Sequence, residues 1–261
     1  MLPVLFTVFG VDVQSYGVSK ALAAIVAAWL LGRAFTRLSL KADDAHALVM
    51  WATIWGFVGG KIYFLLEHAN EFTWHHLGGS GFTWYGGLIG GSVAFLVIIR
   101  RRKLPATAVI DAAAIPLALA YGIGRIGCWL SGDGTYGKPT DLPWGETFTN
   151  GMVPTDVPVH PTPLYETLAS LVIVAVLLVL RRDVRPPLEL FASYLILSGV
   201  ARFFVEFLRI NEPVVLGLTQ PQLWALLSIV AGAGLIIRGR VRARKAASGV
   251  VAVSEPQEAT L

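Results

Sequence analysis

The chain has 261 residues, 55% of them hydrophobic and only 15% charged, a balance that excludes an ordinary water-soluble domain and is typical of an integral membrane protein. Its net charge of +4 comes with basic runs that lie beside apolar stretches, where anionic lipid attracts them; it reflects membrane orientation and implies no nucleic acid. A single cysteine, Cys128, excludes an internal disulfide and is too few for a metal cluster, and no metal or cofactor is implied.

The fold class expected is an all-α integral membrane protein with seven transmembrane helices. The spans fall near 17–36, 45–66, 83–99, 108–130, 164–180, 188–208 and 220–238, each close to the ~20 residues a helix needs to cross ~30 Å of hydrocarbon. Residues 1–16 form an external N-terminal segment, 17–238 the membrane domain, and 239–261 a basic and then disordered cytoplasmic tail. Met1–Gly10 has no basic start and no small-residue cleavage site follows, so the first span itself directs insertion.

Basic residues cluster after every second span. Arg33, Arg37 and Lys41 follow the first, Arg100, Arg101, Arg102 and Lys103 the third, Arg181, Arg182 and Arg185 the fifth, and Arg238, Arg240, Arg242, Arg244 and Lys245 the seventh: fifteen of the 21 Lys and Arg. The positive-inside rule makes those faces cytoplasmic and puts the N-terminus outside and the C-terminus inside. The opposite loops carry Glu67, Glu71, Asp133, Asp141, Glu146 and Asp156 with few bases, which agrees. A multi-pass membrane protein fits this layout.

Within the second span Lys61 carries no assigned role. The third opens on Trp84-Tyr85-Gly86-Gly87-Leu88-Ile89-Gly90-Gly91, whose two interleaved small-xxx-small pairs imply close helix contact. Tyr85 sits where tyrosine anchors an interface, yet its phenol can also donate to a phosphate. Asp111, at the start of the fourth span, is either a helix cap or a partner for a cation.

Arg125 in the fourth span and Arg202 in the sixth lie in otherwise apolar stretches. An arginine at mid-membrane costs about 2.5–3.5 kcal/mol and cannot shed its proton, so each needs a polar partner. The guanidinium fork matches phosphate oxygens, which makes a lipid headgroup the first candidate, ahead of a structural carboxylate. Gly122-Ile-Gly124-Arg125-Ile-Gly127 formally matches a dinucleotide fingerprint, but it lies inside a membrane span with no preceding strand. Its glycines either thin the wall beside Arg125 for a headgroup or serve plain helix packing. Arg202 and Glu206 are four apart and can pair on one helix face, with Arg209 continuing near it, so a structural ion pair is a rival reading.

The segment 131–163 is rich in Gly, Pro, Asp and Thr and is expected to be an irregular external loop, with turns at Gly132-Asp133-Gly134 and Lys138-Pro139-Thr140. It ends in His160-Pro161-Thr162-Pro163-Leu164-Tyr165-Glu166. His160 is either a surface histidine or an acid/base group held by these prolines.

Taken together, Tyr16-Gly17, the Tyr-Gly-Gly-Leu-Ile-Gly run from Tyr85, Gly124-Arg125-Ile126-Gly127, His160-Pro161 through Leu164-Tyr165-Glu166, and Arg202 through Arg209 resemble the phosphatidylglycerol:prolipoprotein diacylglyceryl transferases of bacteria over about residues 11–238. The resemblance implies transfer of the diacylglyceryl group of phosphatidylglycerol to the lipobox cysteine of a prolipoprotein signal sequence, giving a thioether and glycerol phosphate. It implies Arg202, His160, Tyr85 and Glu206 as catalytic residues, and Arg125, Tyr16, Gly86, Gly87, Asp133, Tyr165 and Glu166 as substrate-binding residues. Three positions depart from the family pattern: Tyr85 stands where a histidine is usual, Cys128 where asparagine is, and Asp133 where glutamate is. A phenol of ordinary pKa near 10 is a poor base at pH 7, so His160 ranks first as base, then Tyr85, then Asp133. Two other functions compete: a family member that uses the same phospholipid with another acceptor, and a non-enzymatic anion or lipid transporter whose arginines line a path. No repeat relates residues 1–130 to 131–261, which lowers the transporter reading. In a third reading the polar network is purely structural, in a scaffold.

Overall fold

The computed structural model describes residues 1–69, 73–74 and 81–253. Glu71 and the chain end 254–261 lie outside the described residues, as does most of the loop after the second helix. Seven long helices run in chain order among the described residues: α1 (Ser15–Arg37), α2 (Ala42–Glu67), α3 (Trp84–Arg101), α4 (Ala106–Ser131), α5 (Thr162–Leu180), α6 (Glu189–Glu206) and α7 (Gln220–Val253). Five of them, α1, α2, α4, α5 and α7, are long and apolar enough to cross a membrane. The arginine pair ending α3 and the three charges Glu189, Arg202 and Glu206 in α6 set those two helices apart. The chain is thus an all-α multi-pass membrane protein. α7 continues through the basic residues into the segment expected to be a tail.

Two short hairpins were not foreseen. β1 (Val4–Val8) pairs antiparallel with β2 (Val11–Gln14), and β3 (Pro213–Val215) with β4 (Leu218–Thr219). Each turn carries a Gly at positive φ, Gly10 at 80° and Gly217 at 75°, so the chain reverses where an L side chain would be strained. The first hairpin sits beside the end of α4, where Leu2 N–H donates to Leu130 O over 3.0 Å, and the second is held to the end of α6, where Thr219 Oγ1 donates to Glu206 Oε1.

Small residues set the packing. Gly59 of α2 and Gly86 of α3 face one another so closely that a Cβ on either would strike the other's carbonyl oxygen, and Gly90 lies as tightly against Trp55 O. The glycine pairs of α3 therefore make the close helix contact that their spacing predicts, and α2 is the partner. Gly199 of α6 faces Ala225 O of α7 and Gly232 of α7 faces Ala192 O of α6, which joins those two helices in the same way. Leu31, Phe35, Ala45, Leu48, Ile99, Val109 and Ala113 form the buried cluster toward the basic end, where α1, α2, α3 and α4 meet. A second cluster, Ala114, Ala118, Ile173 and Leu177, seals α4 to α5.

Of the two roles expected of it, Asp111 is a helix cap, but for α6 and not for its own helix. Its two carboxylate oxygens accept from Leu188 N (2.6 Å) and Phe191 N (2.9 Å), so it caps the start of α6 from a different helix. Leu188 precedes that helix in a left-handed conformation (φ 69°), which leaves the first amides of α6 needing an acceptor that its own N-cap side chain lacks. The loop 131–163 is more ordered than its composition suggests. Tyr136, Phe148 and Val159 form a small core with Met1 and Trp129 against it. Gly132 and Gly134 adopt positive φ, as a turn requires, but the expected turn at Lys138-Pro139-Thr140 is absent. Lys138 N–H donates instead to Leu208 O and Thr140 N–H to Pro158 O, and Pro139 bridges Val159, so the chain bends at Lys138 between two bridge residues without closing a hydrogen-bonded turn.

Candidate active site

The central carboxylate is Glu166. It lies in the first turns of α5 just after Pro163, a residue suited to a helix start because it gives up only an amide that would have no partner there. Glu166 Oε1 accepts from Tyr121 Oη (2.7 Å) and Arg202 Nη1 (2.5 Å), while Oε2 faces Arg125 Nε (3.1 Å) and Arg209 Nη1 (3.5 Å). Three helices and the segment after α6 thus converge on one buried group. The second carboxylate, Glu206, is four residues after Arg202, and its Oε2 lies 2.7 Å from Arg202 Nη2 and 3.9 Å from Arg209 Nε. Its Oε1 accepts from Asn211 Nδ2 (2.6 Å) and Thr219 Oγ1 (2.9 Å), tying the β3–β4 hairpin to the site.

Carboxylates, then, are the immediate partners of both Arg125 and Arg202, which corrects the expectation that a headgroup comes first. The physical reason is that an arginine in a bundle needs its counterion before any substrate arrives. Neutralisation is nevertheless incomplete: Arg125, Arg202 and Arg209 carry three positive charges against the two of Glu166 and Glu206. Glu206 Oε2 and Arg209 Nε are buried and lack an aligned hydrogen bond. Burial and the like charge of Arg202 hold the Arg209 guanidinium below its ordinary range. Accessibility divides the cluster as well. The carboxylates are sealed, 3% exposed at Glu166 and 0% at Glu206, whereas Arg125 and Arg202 keep 18% and 22% of their side chains accessible. The side open to a ligand is cationic.

Around this core the other expected residues take distinct places. Arg125 stands over the Tyr121 ring at 4.9 Å, and its Nη1 is 4.0 Å from Cys128 Sγ. Tyr85 packs on Trp224 of α7 with ring centroids 5.7 Å apart, within the electrostatic reach of Arg202 and Glu206. Trp224 also lines an apolar recess of about 500 Å³ with Val214, Gln220, Leu223 and Leu227. Tyr16, at the start of α1, is in electrostatic reach of Arg125, Cys128 and Asp133. Asp133 Oδ1 accepts from Thr135 N (3.1 Å) and Thr135 Oγ1 (2.6 Å). His160 is partly buried, with Nδ1 3.3 Å from Tyr165 Oη, and that hydroxyl accepts from Trp144 Nε1 over 2.8 Å. Gly86 and Gly87 face α2, Gly87 towards Gly56 O, and are occupied in helix packing.

Arg209, Tyr121 and Trp144 were not singled out as site residues from the sequence. Arg209 is three residues after Glu206 and Tyr121 four before Arg125, so helical spacing carried a signal for both. Nothing local marks Trp144. The glycines around Arg125 are used for packing: Gly122 against Ser170 and Thr167 of α5, Gly127 against Ser19 of α1. The dinucleotide reading has no basis in this geometry. Among the described residues no group of three or more His, Cys, Asp or Glu is placed to hold a metal.

The comparisons agree with the motifs. The family model for prolipoprotein diacylglyceryl transferase matches residues 3–238. The phosphatidylglycerol–prolipoprotein diacylglyceryl transferase of Clostridium tetani is 33% identical over 240 residues, 89% of this chain and 95% of that one. Its counterpart in Geobacter sulfurreducens is 32% identical over 79% of this chain and 82% of its own, and that of Clostridioides difficile 28% identical over 88% and 92%. On the breadth of the match and the order of its motifs, the chain belongs to the prolipoprotein diacylglyceryl transferase family.

Proposed function

We infer that the chain transfers the diacylglyceryl group of phosphatidylglycerol to the cysteine thiol of a prolipoprotein lipobox in the bacterial inner membrane. The bond that breaks joins a glycerol carbon to a phosphate oxygen; the bond that forms joins that carbon to sulfur, and glycerol phosphate leaves. Negative charge grows on the departing phosphate. The observation that carries the chemical reading is the three-arginine cluster with two sealed carboxylates, whose exposed guanidinium faces are held in place before the reaction. Preorganised donors aimed at developing charge in a water-poor site are among the strongest catalytic devices available. Arg202, gripped by both Glu166 and Glu206, is the catalytic cation, and Arg125 holds the donor phosphate. Glu166 and Glu206 hold the arginines in register.

The thiol's proton goes to the His160–Tyr165 pair. Indole N–H is only a donor, so Trp144 leaves the Tyr165 hydroxyl free to donate to His160 Nδ1. A proton taken up at the Tyr165 oxygen is thereby matched by one passed on to Nδ1. Tyr85 and Tyr16 border the phosphate region, with Tyr85 standing where the family usually has histidine. Asp133, beside Cys128, completes the acceptor side. We further propose that α3 and α6 also cross the bilayer, giving seven spans with the N-terminus outside, a membrane domain of 17–238 and a cytoplasmic tail from 239.

Mass analysis of the product tests the reaction. Purified protein supplied with a lipobox peptide should add one diacylglyceryl group to the cysteine when phosphatidylglycerol is present and none when phosphatidylcholine replaces it. No thioether, with donor still bound, would mean a different acceptor. For the base, His160→Ala should slow turnover about 10²-fold or more and change its pH profile. An unchanged rate and profile removes His160 from the reaction.

A further inference from the structure

Lys20 is a cation in the second turn of α1 that the mechanism above does not use. It is only partly exposed, and its ammonium points inward: Lys20 Nζ is the nearest side-chain atom to the bare face of Gly124, 3.2 Å from where a Cβ would stand. Any larger residue at 124 would displace it. The ammonium also lies 4.9 Å from the Tyr16 ring centroid. No carboxylate lies within ion-pair distance of it among the described residues.

Gly124 and Cys128 are four apart and share one face of α4. Lys20 covers the Gly124 end of that strip, and Arg125 Nη1 reaches the Cys128 end, 4.0 Å from Sγ. Cys128 feels the charge of both cations, and that of Asp133 opposing them. Asp133 spends one oxygen on Thr135 and is not paired with Lys20. Two cations thus flank a small-residue strip: Arg125 is paired with Glu166 through Nε and Asp133 reaches the strip at Cys128, but neither carboxylate is paired with Lys20.

We propose that Lys20 is a second phosphate-binding cation of the donor site, acting with Arg125 from the other end of the Gly124–Cys128 strip to hold the phosphodiester of an anionic phospholipid. A lysine ammonium suits this place because it is a compact charge that needs no planar partner, while Arg125 supplies the directional fork. The inference rests on the transferase reading for its turnover assay, but its binding arm does not depend on turnover.

The test uses the full-length protein in mixed phosphatidylglycerol and phosphatidylcholine micelles. Lys20→Gln should raise KM for phosphatidylglycerol about tenfold, as expected for loss of one charge-assisted contact, with kcat within about twofold and Lys20→Arg restoring most of the loss. Lys20→Met, whose apolar side chain suits a bilayer, keeps the test valid should the Gln variant fold poorly. Native mass spectrometry should show less phosphatidylglycerol retained by both neutral variants than by the wild type, with retained phosphatidylcholine unchanged. Inhibition by free glycerol phosphate separates two sources of the same chemistry: an unchanged inhibition constant assigns Lys20 to the intact lipid, and a parallel weakening assigns it to the phosphate before and after cleavage. A lysine that merely balances Asp133 or reaches the headgroup layer leaves KM and lipid retention unmoved, and that result overturns the proposal. Wild-type protein that retains lipid through Lys20 but forms no thioether would sink the transferase reading alone.

Discussion

Arginine at 125 and 202 is required for its shape as well as its charge. Arg202 uses Nη1 for Glu166 and Nη2 for Glu206, a division that a single ammonium cannot reproduce at both distances. Arg202→Lys and Arg125→Lys should each lower kcat/KM about 10²-fold or more in the lipobox assay while the unfolding temperature in detergent stays near that of the wild type. A variant that keeps full activity would return the cluster to a structural role. Glu166→Gln behaves differently, because it leaves Arg125, Arg202 and Arg209 facing Glu206 alone. Removing one partner of a buried charge network costs about 3–5 kcal/mol, so the expected readout is a large fall in thermal stability together with lost activity.

Elements hold these residues in position through contacts that a one-dimensional pattern shows unevenly. Close packing by α3 was legible, since Gly86, Gly87, Gly90 and Gly91 have the spacing of a close crossing, but that the partner is α2, with Gly59 against Gly86, came from the structure. The cap on α6 was not legible. Asp111 is remote in sequence from the Leu188 and Phe191 amides it serves, and only the approach of α4 to α6 reveals the pairing. Asp111→Ala should destabilise the protein by about 1–2 kcal/mol, the usual range for a lost helix cap, seen as a lower unfolding temperature with KM for phosphatidylglycerol unchanged. A silent substitution would mean that water replaces the carboxylate at that helix start.

For the molecule as a whole, the distribution of basic residues makes a directional statement. Cysteines introduced at Arg102, Asp183 or Arg242 should react with a membrane-impermeant thiol reagent only after the membrane is opened, and cysteines at Asp12 or Thr149 should react in intact spheroplasts. Labelling with the opposite sidedness would invert the topology and move the site to the cytoplasmic face. The ends of the bundle also differ in architecture. The basic end has short connections and the Glu189 clamp to Arg185 and Arg240, and at the other end the long loop and the β3–β4 hairpin contact the arginine cluster, while the β1–β2 hairpin lies beside the end of α4. Thr162, Tyr165 and Glu166 belong to the join of the long loop with α5, so the loop and the site are parts of one structure.

The amino-acid sequence alone determined that this is a helical membrane protein, where its apolar segments lie and which face its basic residues favour, because solvation by lipid acts on composition over a span of ~20 residues. It also singled out Arg125 and Arg202, since an unavoidable charge in an apolar segment stands out without any knowledge of its neighbours. Tertiary structure alone decided what those charges meet. That Glu166 gathers Tyr121, Arg125, Arg202 and Arg209 depends on three helices converging, and electrostatic pairing is a function of distance in space rather than along the chain.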